Sequence, residues 1–390
     1  MPSIHGHARA LADRPTAVRR DLHRHPEVAF EENRTMGIVA ERLRELGLEP
    51  RTGVGKTGVV ALWDTGRPGP TVLARTDMDA LPVPDDKDVA YRSLHEGRMH
   101  ACGHDGHVAV LLSVAEILIA RADELRGRFV FVFQPAEEIV RGAEAMLADG
   151  ALDGLEIDHA LGLHLSSMHP TGTVALRAGP SMAATDSFRL VAHGRGGHAA
   201  KPNDTIDPVL VSAHLVLALQ ALVLRETDPV DQAVISVTSV HGGTAFNIIP
   251  EAVELKGTLR TFDAETRARL RRRILEVAGG VAATFRATVT PEWIEGSPAV
   301  VNDREATARM RAVARRIVGE ERVLENPQIM GGDDMALWLE RAPGCYFFVG
   351  GSGGDASAWP HHHPRFDLDE ACLPIAVELP AAGVVDLLAN

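Results

Sequence analysis

Three short apolar runs in the first half of the chain each end at ionisable residues, and this arrangement restricts the folds open to it. Thr71 to Ala74 (TVLA) leads to Asp77 and Asp79, Phe129 to Phe133 (FVFVF) to Glu137 and Glu138, and His159 to Leu163 (HALGL) to His164. Near-continuous apolar runs of this length suit strands buried on both faces. Between the first two lies a helical pattern, Gly106 to Ala120, with Val110, Val114, Ile117 and Leu118 on one stripe. The rhythm predicts an α/β domain with a mixed, largely parallel sheet flanked by helices. In open sheets of that kind ligands collect beyond the carboxyl ends of the strands, so one crevice is expected to hold these acids and His164.

The pattern changes after Gly179-Pro180-Ser181. Strand patterns at Ser187 to Ala192, Ala233 to Val240, Ala252 to Arg260 and Ala287 to Trp293 alternate with helices at Asp207 to Leu224 and Ala264 to Thr284. This order predicts a smaller α+β, ferredoxin-like domain inserted into the larger one. The expected division is 1–183 for the first part of the larger domain, 184–296 for the insertion and 297–390 for the second part. At 390 residues, two domains are expected on length alone.

Composition narrows the function. A net charge of -13 argues against a nucleic-acid partner, which needs a basic face. The arginines from Arg267 to Arg273 read as the solvated face of a helix that turns Leu270 and Ile274 inward. No stretch reaches the roughly 20 apolar residues of a membrane span, and the first fifteen residues lack the apolar core of a signal peptide. Three cysteines, Cys102, Cys345 and Cys372, are too few and too odd for a disulfide framework, so a cytoplasmic location is expected.

The 18 histidines matter through their grouping. Met99 to His107 (MHACGHDGH) carries one thiol and several imidazoles, donors that suit zinc, nickel, cobalt or manganese; the alternative is a buried cysteine with histidines capping a helix. Gln134 to Glu138 (QPAEE) sets two carboxylates side by side after an apolar strand. Such neighbours repel unless a cation shares them, with one glutamate binding the ion and the other left as a general base; the alternative is an exposed turn at a helix start. His164 and the triplet His361-His362-His363 add further donors, enough in all for two ions. The glycine-rich loop Gly194 to Pro202 carries His198, which could stabilise an oxyanion, while Asn247 and Arg260 could serve a substrate carboxylate.

In this order the motifs resemble the M20 metallopeptidase family, within its amidohydrolase branch of hippurate hydrolases and indole-acetyl-amino-acid hydrolases. The resemblance runs from His23-Arg24-His25-Pro26-Glu27 and Phe30-Glu31-Glu32 through Asp77 to Pro82, Met99 to His107, Gln134 to Glu138, Gly162-Leu163-His164, Gly197 to Ala200 and Asn247 to Pro250. It ends with His362 to Phe366 and Asp369-Glu370. It implies metal-dependent hydrolysis of the amide of an N-acyl amino acid by a water that a glutamate activates, with a dipeptidase or carbamoylase as the nearest alternative and a non-catalytic metal- or ligand-binding protein as a more distant one. The implied ligands of two divalent ions (Mn, Zn, Co or Ni) are Cys102, His104, Glu138, His164 and His362, with Cys102 bridging; His362 stands two residues before the proline, as the family pattern requires. Glu137 becomes the general base and His198 the group that polarises the carbonyl, often delivered from the partner of a homodimer. The inserted domain would then be both lid and dimerisation module. Many relatives in the family have His-x-Asp where this chain has Asp77-Met78-Asp79 and an Asp where it has Cys102, and Gly331-Gly332-Asp333-Asp334-Met335 departs from the branch's usual Gly-Ser-Glu-Asp-Phe; the roles of Asp77, Asp79 and Asp333 stay open.

Overall fold

A computed structural model describes residues 4–11 and 13–388. They form two compact units, one of residues 4–11, 13–181, 300–327 and 333–388, the other of 182–299 and 328–332. Three short stretches depart from the division expected from sequence. Residues 182–183 and 297–299 belong to the smaller unit, and residues 328–332 return to it because Ala183 N–H donates to the carbonyls of Ile329 and Gly331.

The larger unit is built on an eight-stranded sheet. Its centre is four parallel strands in the order Arg128–Gln134, Thr71–Asp77, His159–Pro170 and Gly344–Ser352. Strands Gly58–Asp64 and Arg51–Val54 extend one side antiparallel, and Val174–Leu176 and Val323–Glu325 complete the other. Phe129, Phe131 and Phe133 point to one face and Val130 and Val132 to the other, and all are buried, as expected of a sheet covered on both sides. The helix His104–Ile119 is buried almost all round, and Gly103 starts it at φ 93°, a left-handed conformation that suits a residue without Cβ. Register places the chemistry in one row: Asp77 pairs with Gln134, Arg75 with Gly162, and His164 with Phe348. The third strand continues to Pro170, so His164 lies inside it rather than closing it, and Asp77 is the last residue of its own strand.

The smaller unit has the order strand, helix, strand, strand, helix, strand. Its antiparallel sheet runs Ala233–His241, Ala252–Thr261, Ala184–His193, Thr288–Ile294, which is the ferredoxin-like arrangement. Helix Pro208–Glu226 starts with proline at its first position and Asp207 accepting from the Val209 and Leu210 amides; Asp263 caps Ala264–Thr284 through Thr266 N. Leu215, Leu219, Leu222, Leu270 and Ile274 pack on Phe188, Leu190, Leu255 and Leu259. The arginine cluster is less solvated than expected, because Arg267 forks onto the buried Asp186 at 2.7 Å through both Nε and Nη2. Two helices, Pro208–Glu226 and Glu370–Leu388, are long and apolar enough to cross a membrane by length and composition, which the sequence reading overlooked. The second is largely buried, and the first packs its inward leucines on the sheet.

Gly257 sits where the ring of Phe188 crosses the central strand pair. A Cβ there would meet Phe188 Cζ at 2.2 Å and the Ser236 carbonyl at 2.5 Å. Gly257→Ala is therefore expected to lower stability by about 1–3 kcal/mol in urea unfolding, the usual cost of overpacking. An unchanged midpoint would show that the sheet yields at this crossing.

Candidate metal centre

The turn between the Arg128–Gln134 strand and the helix Gly142–Ala148 carries the two adjacent glutamates, and Asp79 holds it. One Asp79 oxygen accepts from Glu137 N–H and the other from Glu138 N–H, each at 3.0 Å. Both carboxylate oxygens of Asp79 are thereby used, and the glutamate side chains are turned inward, each no more than 9% exposed. Ala136 just before them has φ 52°, and Glu32 accepts from its amide at 2.9 Å. The exposed-turn alternative is excluded by this burial.

Each imidazole in the cluster can be sorted by which nitrogen keeps a lone pair. His104 Nδ1 lies 2.8 Å from the Asp79 carbonyl and must donate to it, so Nε2 offers a lone pair; it is buried with no hydrogen-bond partner, 3.9 Å from both Glu137 and Glu138. His164 Nδ1 donates to the Leu165 carbonyl at 2.7 Å, which turns Nε2 toward the Cys102 sulfur at 3.5 Å. His107 is different. It accepts from Leu165 N–H through Nε2 at 2.8 Å and donates through Nδ1 to Asp77 at 2.6 Å, so no lone pair remains.

Of the three consecutive histidines, His362 Nε2 stands 3.3 Å from Glu138 Oε2. His361 packs against His164 and groups with it and Cys102, but its Nε2 accepts from Ser167 N–H at 3.3 Å. Cys102 belongs to two donor groups, one with His104 and Glu138 and one with His164 and His361, each within 4.8 Å. It is the one thiol positioned to face donors on both sides. The five residues proposed as ligands from sequence thus come together in the larger unit. A cation fits here because two buried donor atoms 3.9 Å apart, His104 Nε2 and Glu138 Oε1, have no hydrogen-bond partner among the described residues.

Behind the donors lies a network that the sequence reading missed. Arg75, fully buried, donates to Gln134 Oε1, Asp77 Oδ2 and Asp334 Oδ1, all at 2.9 Å, and pairs with Asp333 at 3.2 Å. Asp333 also accepts from Tyr346 OH at 2.6 Å and Met335 N at 2.7 Å, and it faces Glu137. The roles left open by sequence follow: Asp77 orients His107, Asp79 holds the glutamate turn, and Asp333 confronts Glu137. An arginine inside a seven-residue strand whose every residue is buried was the available signal.

Three other expected residues lie in the smaller unit. His198 pairs with Ile248 in a short ribbon, and Ala199 N–H donates to the Asn247 carbonyl at 3.1 Å, so His198 and Asn247 are neighbours. Ala200 N–H donates to His198 Nδ1 at 3.1 Å, which leaves the ring proton on the exposed Nε2. The glycines of this loop serve the chain itself: a Cβ at Gly194 would lie 2.0 Å from the Ile206 carbonyl, and one at Gly196 2.7 Å from that of Ile249. Arg260 is not brought to them. It lies on Ala252–Thr261, roughly 26 Å along the strand from the end nearest the ribbon at about 3.3 Å per residue. It is half-buried and makes no ion pair among the described residues, and burial lowers its pKa.

The electrostatics favour added positive charge. Burial, then Asp333 and Glu138, push the Glu137 carboxyl well up; burial, with Asp79 and Asp77 and against His104, pushes Glu138 up to about 7. Burial and Glu138 likewise raise the Cys102 thiol, and a bound cation reverses this bias. A carboxyl raised in the folded state binds its proton more tightly there than in the unfolded chain. Stability of the chelator-stripped protein is therefore expected to fall as pH rises from about 4.5, the ordinary value, through about 7. With manganese or zinc added, the fall should disappear. Thermal unfolding from pH 5 to 8 with and without metal measures this, and identical profiles would show that no cation shares the carboxylates.

Comparison with known proteins agrees with this geometry. Residues 73–382 match the model of Peptidase family M20/M25/M40. The chain is 39% identical over 363 residues to thermostable carboxypeptidase 2 of Saccharolobus solfataricus, covering 92% of this chain and 91% of that one. It is equally 39% identical over 375 residues to IAA-amino acid hydrolase ILR1-like 2 of Arabidopsis thaliana, covering 95% and 84%. Among solved structures, the Bacillus subtilis YXEP protein, a dinuclear metal binding peptidase of the M20 family, superposes with TM-score 0.84 at 35% identity over 97% of this chain and 99% of that one. The chain belongs to the M20/M25/M40 peptidase family, in its amidohydrolase branch.

Proposed function

We propose that the protein hydrolyses the amide bond of N-acyl amino acids, using two divalent ions held by Cys102, His104, Glu138, His164 and His362. The observation that carries this reading is Glu137. It is buried beside a full donor set, yet its carboxylate makes no hydrogen bond among the described residues and stands 3.9 Å from His104 Nε2, so it is free for proton transfer. A site that merely stored metal would have no use for it, which disfavours the binding-protein alternative.

When bound, the ions would lower the pKa of a water and polarise the scissile carbonyl. Glu137 accepts the proton of the attacking water on its carboxylate and delivers it to the leaving amine nitrogen; no covalent intermediate is needed. A carboxyl whose surroundings raise its proton affinity suits that second step. His198 presents an Nε2–H donor suited to the developing oxyanion. Arg260, half-buried without a counterion, suits the carboxylate of the amino-acid half of the substrate.

Within one copy the His198 ribbon and Arg260 lie at opposite ends of a sheet, too far apart to grip one small substrate together. This favours a homodimer in which each copy lends one of these groups to the other. Leu217 and Leu224, 71% and 74% exposed on helix Pro208–Glu226, give the smaller unit an apolar face for such an interface. The equal identity to a carboxypeptidase and to an amino acid conjugate hydrolase keeps the peptide alternative alive, and hippurate-like, N-acetyl and dipeptide substrates separate the two.

Glu137→Gln is expected to reduce kcat by at least about 10²-fold, the low end for loss of a general base, while metal content stays at the wild-type level. Activity above a few per cent would remove Glu137 from the mechanism. Arg260→Ala should raise KM for N-acyl amino acids far more than for their carboxyl amides. Equal effects on both would mean that Arg260 does not meet the carboxylate.

A further inference from the structure

The N-terminal motif around His23 makes no contact with the donor atoms themselves, yet its helix, Asp13–Arg24, reaches both loops that carry histidine ligands. Arg19 on this helix is 1% exposed. Its Nε donates to Asp105 Oδ2 at 3.2 Å, its Nη1 to Glu370 Oε1 at 2.9 Å and its Nη2 to Asp367 Oδ1. Asp105 follows His104 directly, while Asp367 and Glu370 come from the segment that leaves the His361-His362-His363 loop.

His23, one helical turn further on, repeats the grip. Its Nδ1 lies 2.7 Å from the same Asp105 oxygen and its Nε2 2.9 Å from Lys87 Nζ, and Lys87 donates to the Phe366 carbonyl at 2.8 Å. Tyr91 OH donates to the second oxygen of Asp367 at 2.6 Å. One face of one helix thus fastens the turn bearing His104 and the loop bearing His362. In that loop the backbone of His362, at φ 67°, is held to the ligand segment by its N–H to the Ala101 carbonyl at 2.8 Å, and the loop has no regular hydrogen-bond ladder beyond it.

Burying a guanidinium among carboxylates is an inefficient way to gain stability, because desolvation cancels most of the attraction; apolar side chains of equal volume do as well. What the rigid fork supplies is geometry, fixing two carboxylates on separate loops at one spacing. We propose that Arg19 is a positioning residue for the metal centre: it sets the separation between His104 and His362, and with it the capacity of the site for two ions. The proposal rests on the metal-dependent reading above, and its test separates the two.

Stripped wild-type protein and the variants Arg19→Lys and Asp367→Asn are titrated with manganese and with zinc, reading ions bound per chain and their affinity. Circular dichroism and thermal unfolding check that each variant is folded. Wild type should bind two ions. Both variants should bind at least one of them about 10- to 100-fold more weakly, the usual loss when an outer partner of a ligand is removed. At saturating metal they should recover kcat, with KM unchanged. Arg20→Ala, which removes an exposed partner of Glu370, should leave both affinities at the wild-type value. Folded variants that take up two ions with wild-type affinity would overturn the proposal and leave the metal reading intact. Should Arg19→Lys fail to fold, Asp367→Asn alone decides. A wild-type protein that binds no ion would overturn the metal reading itself.

Discussion

The larger unit is organised around one buried cation, the Arg75 guanidinium. It links two neighbouring parallel strands through Asp77 and Gln134, and it reaches the Asp333-Asp334 turn, more than two hundred residues away in sequence. Each partner passes the constraint outward. Asp77 fixes the tautomer of His107, which accepts from Leu165 N–H beside His164; Gln134 also accepts from Trp338 Nε1 at 2.7 Å; Asp334 accepts from Ala143 N at the start of the helix after the glutamates. The ligand-bearing strands are thereby aligned before any ion arrives, which is the outer-layer support that metal sites require.

The same arginine explains why a bound cation would be favoured here. Asp77, Asp333 and Asp334 pair with it directly, and Asp79, Glu137 and Glu138 gather around the neighbouring His104, so one guanidinium faces a cluster of six carboxyl groups. Asp77 is satisfied by Arg75 and two histidines, which hold its carboxyl well below the usual range despite burial, and Asp79 by two backbone amides. Burial pushes Glu137, Glu138 and Asp334 upward, but Asp334 accepts from Arg75, Gln134 and Ala143 N, so the residual repulsion concentrates on Glu137 and Glu138. Two divalent ions would supply four positive charges at that point. The fold therefore stores an electrostatic deficit at the place where the chemistry is wanted, and the scaffold on which it is built has to offset that cost elsewhere.

Much of this was legible in the sequence because the signals were local. Apolar runs such as FVFVF name their strands, Asp207-Pro208 and Asp263 announce helix starts, and Cys102-Gly103-His104 and Glu137-Glu138 announce donors. What stayed hidden depends on register and on pairs distant in the chain. His164 was read as the end of a strand because Ser166 and Ser167 broke the apolar run, yet both serines are buried within a strand that continues to Pro170. Arg75 was passed over because nothing local says that an arginine in a buried strand will find Asp333 and Asp334. Arg260 was grouped with Asn247 for its chemistry, and only the pairing of Ala252 with His193 reveals that the two lie at opposite ends of a sheet.

Two guanidiniums, Arg75 and Arg19, thus flank the centre from different sides and act on different elements. Arg75 aligns strands, which the sheet's own hydrogen bonds already hold to a common register; Arg19 aligns a helix start with an irregular loop, to whose ligand residue the backbone contributes the bond from His362 N–H to the Ala101 carbonyl at 2.8 Å. Rigid strands tolerate small errors in a partner because the ladder restores them, whereas a loop with a left-handed residue has no such restoring force. The proposed metal pair would draw its ligands from both kinds of element: His164 from a strand, and His362 from the loop. An ion held by the loop would accordingly be the one whose binding depends most on side-chain contacts remote from it.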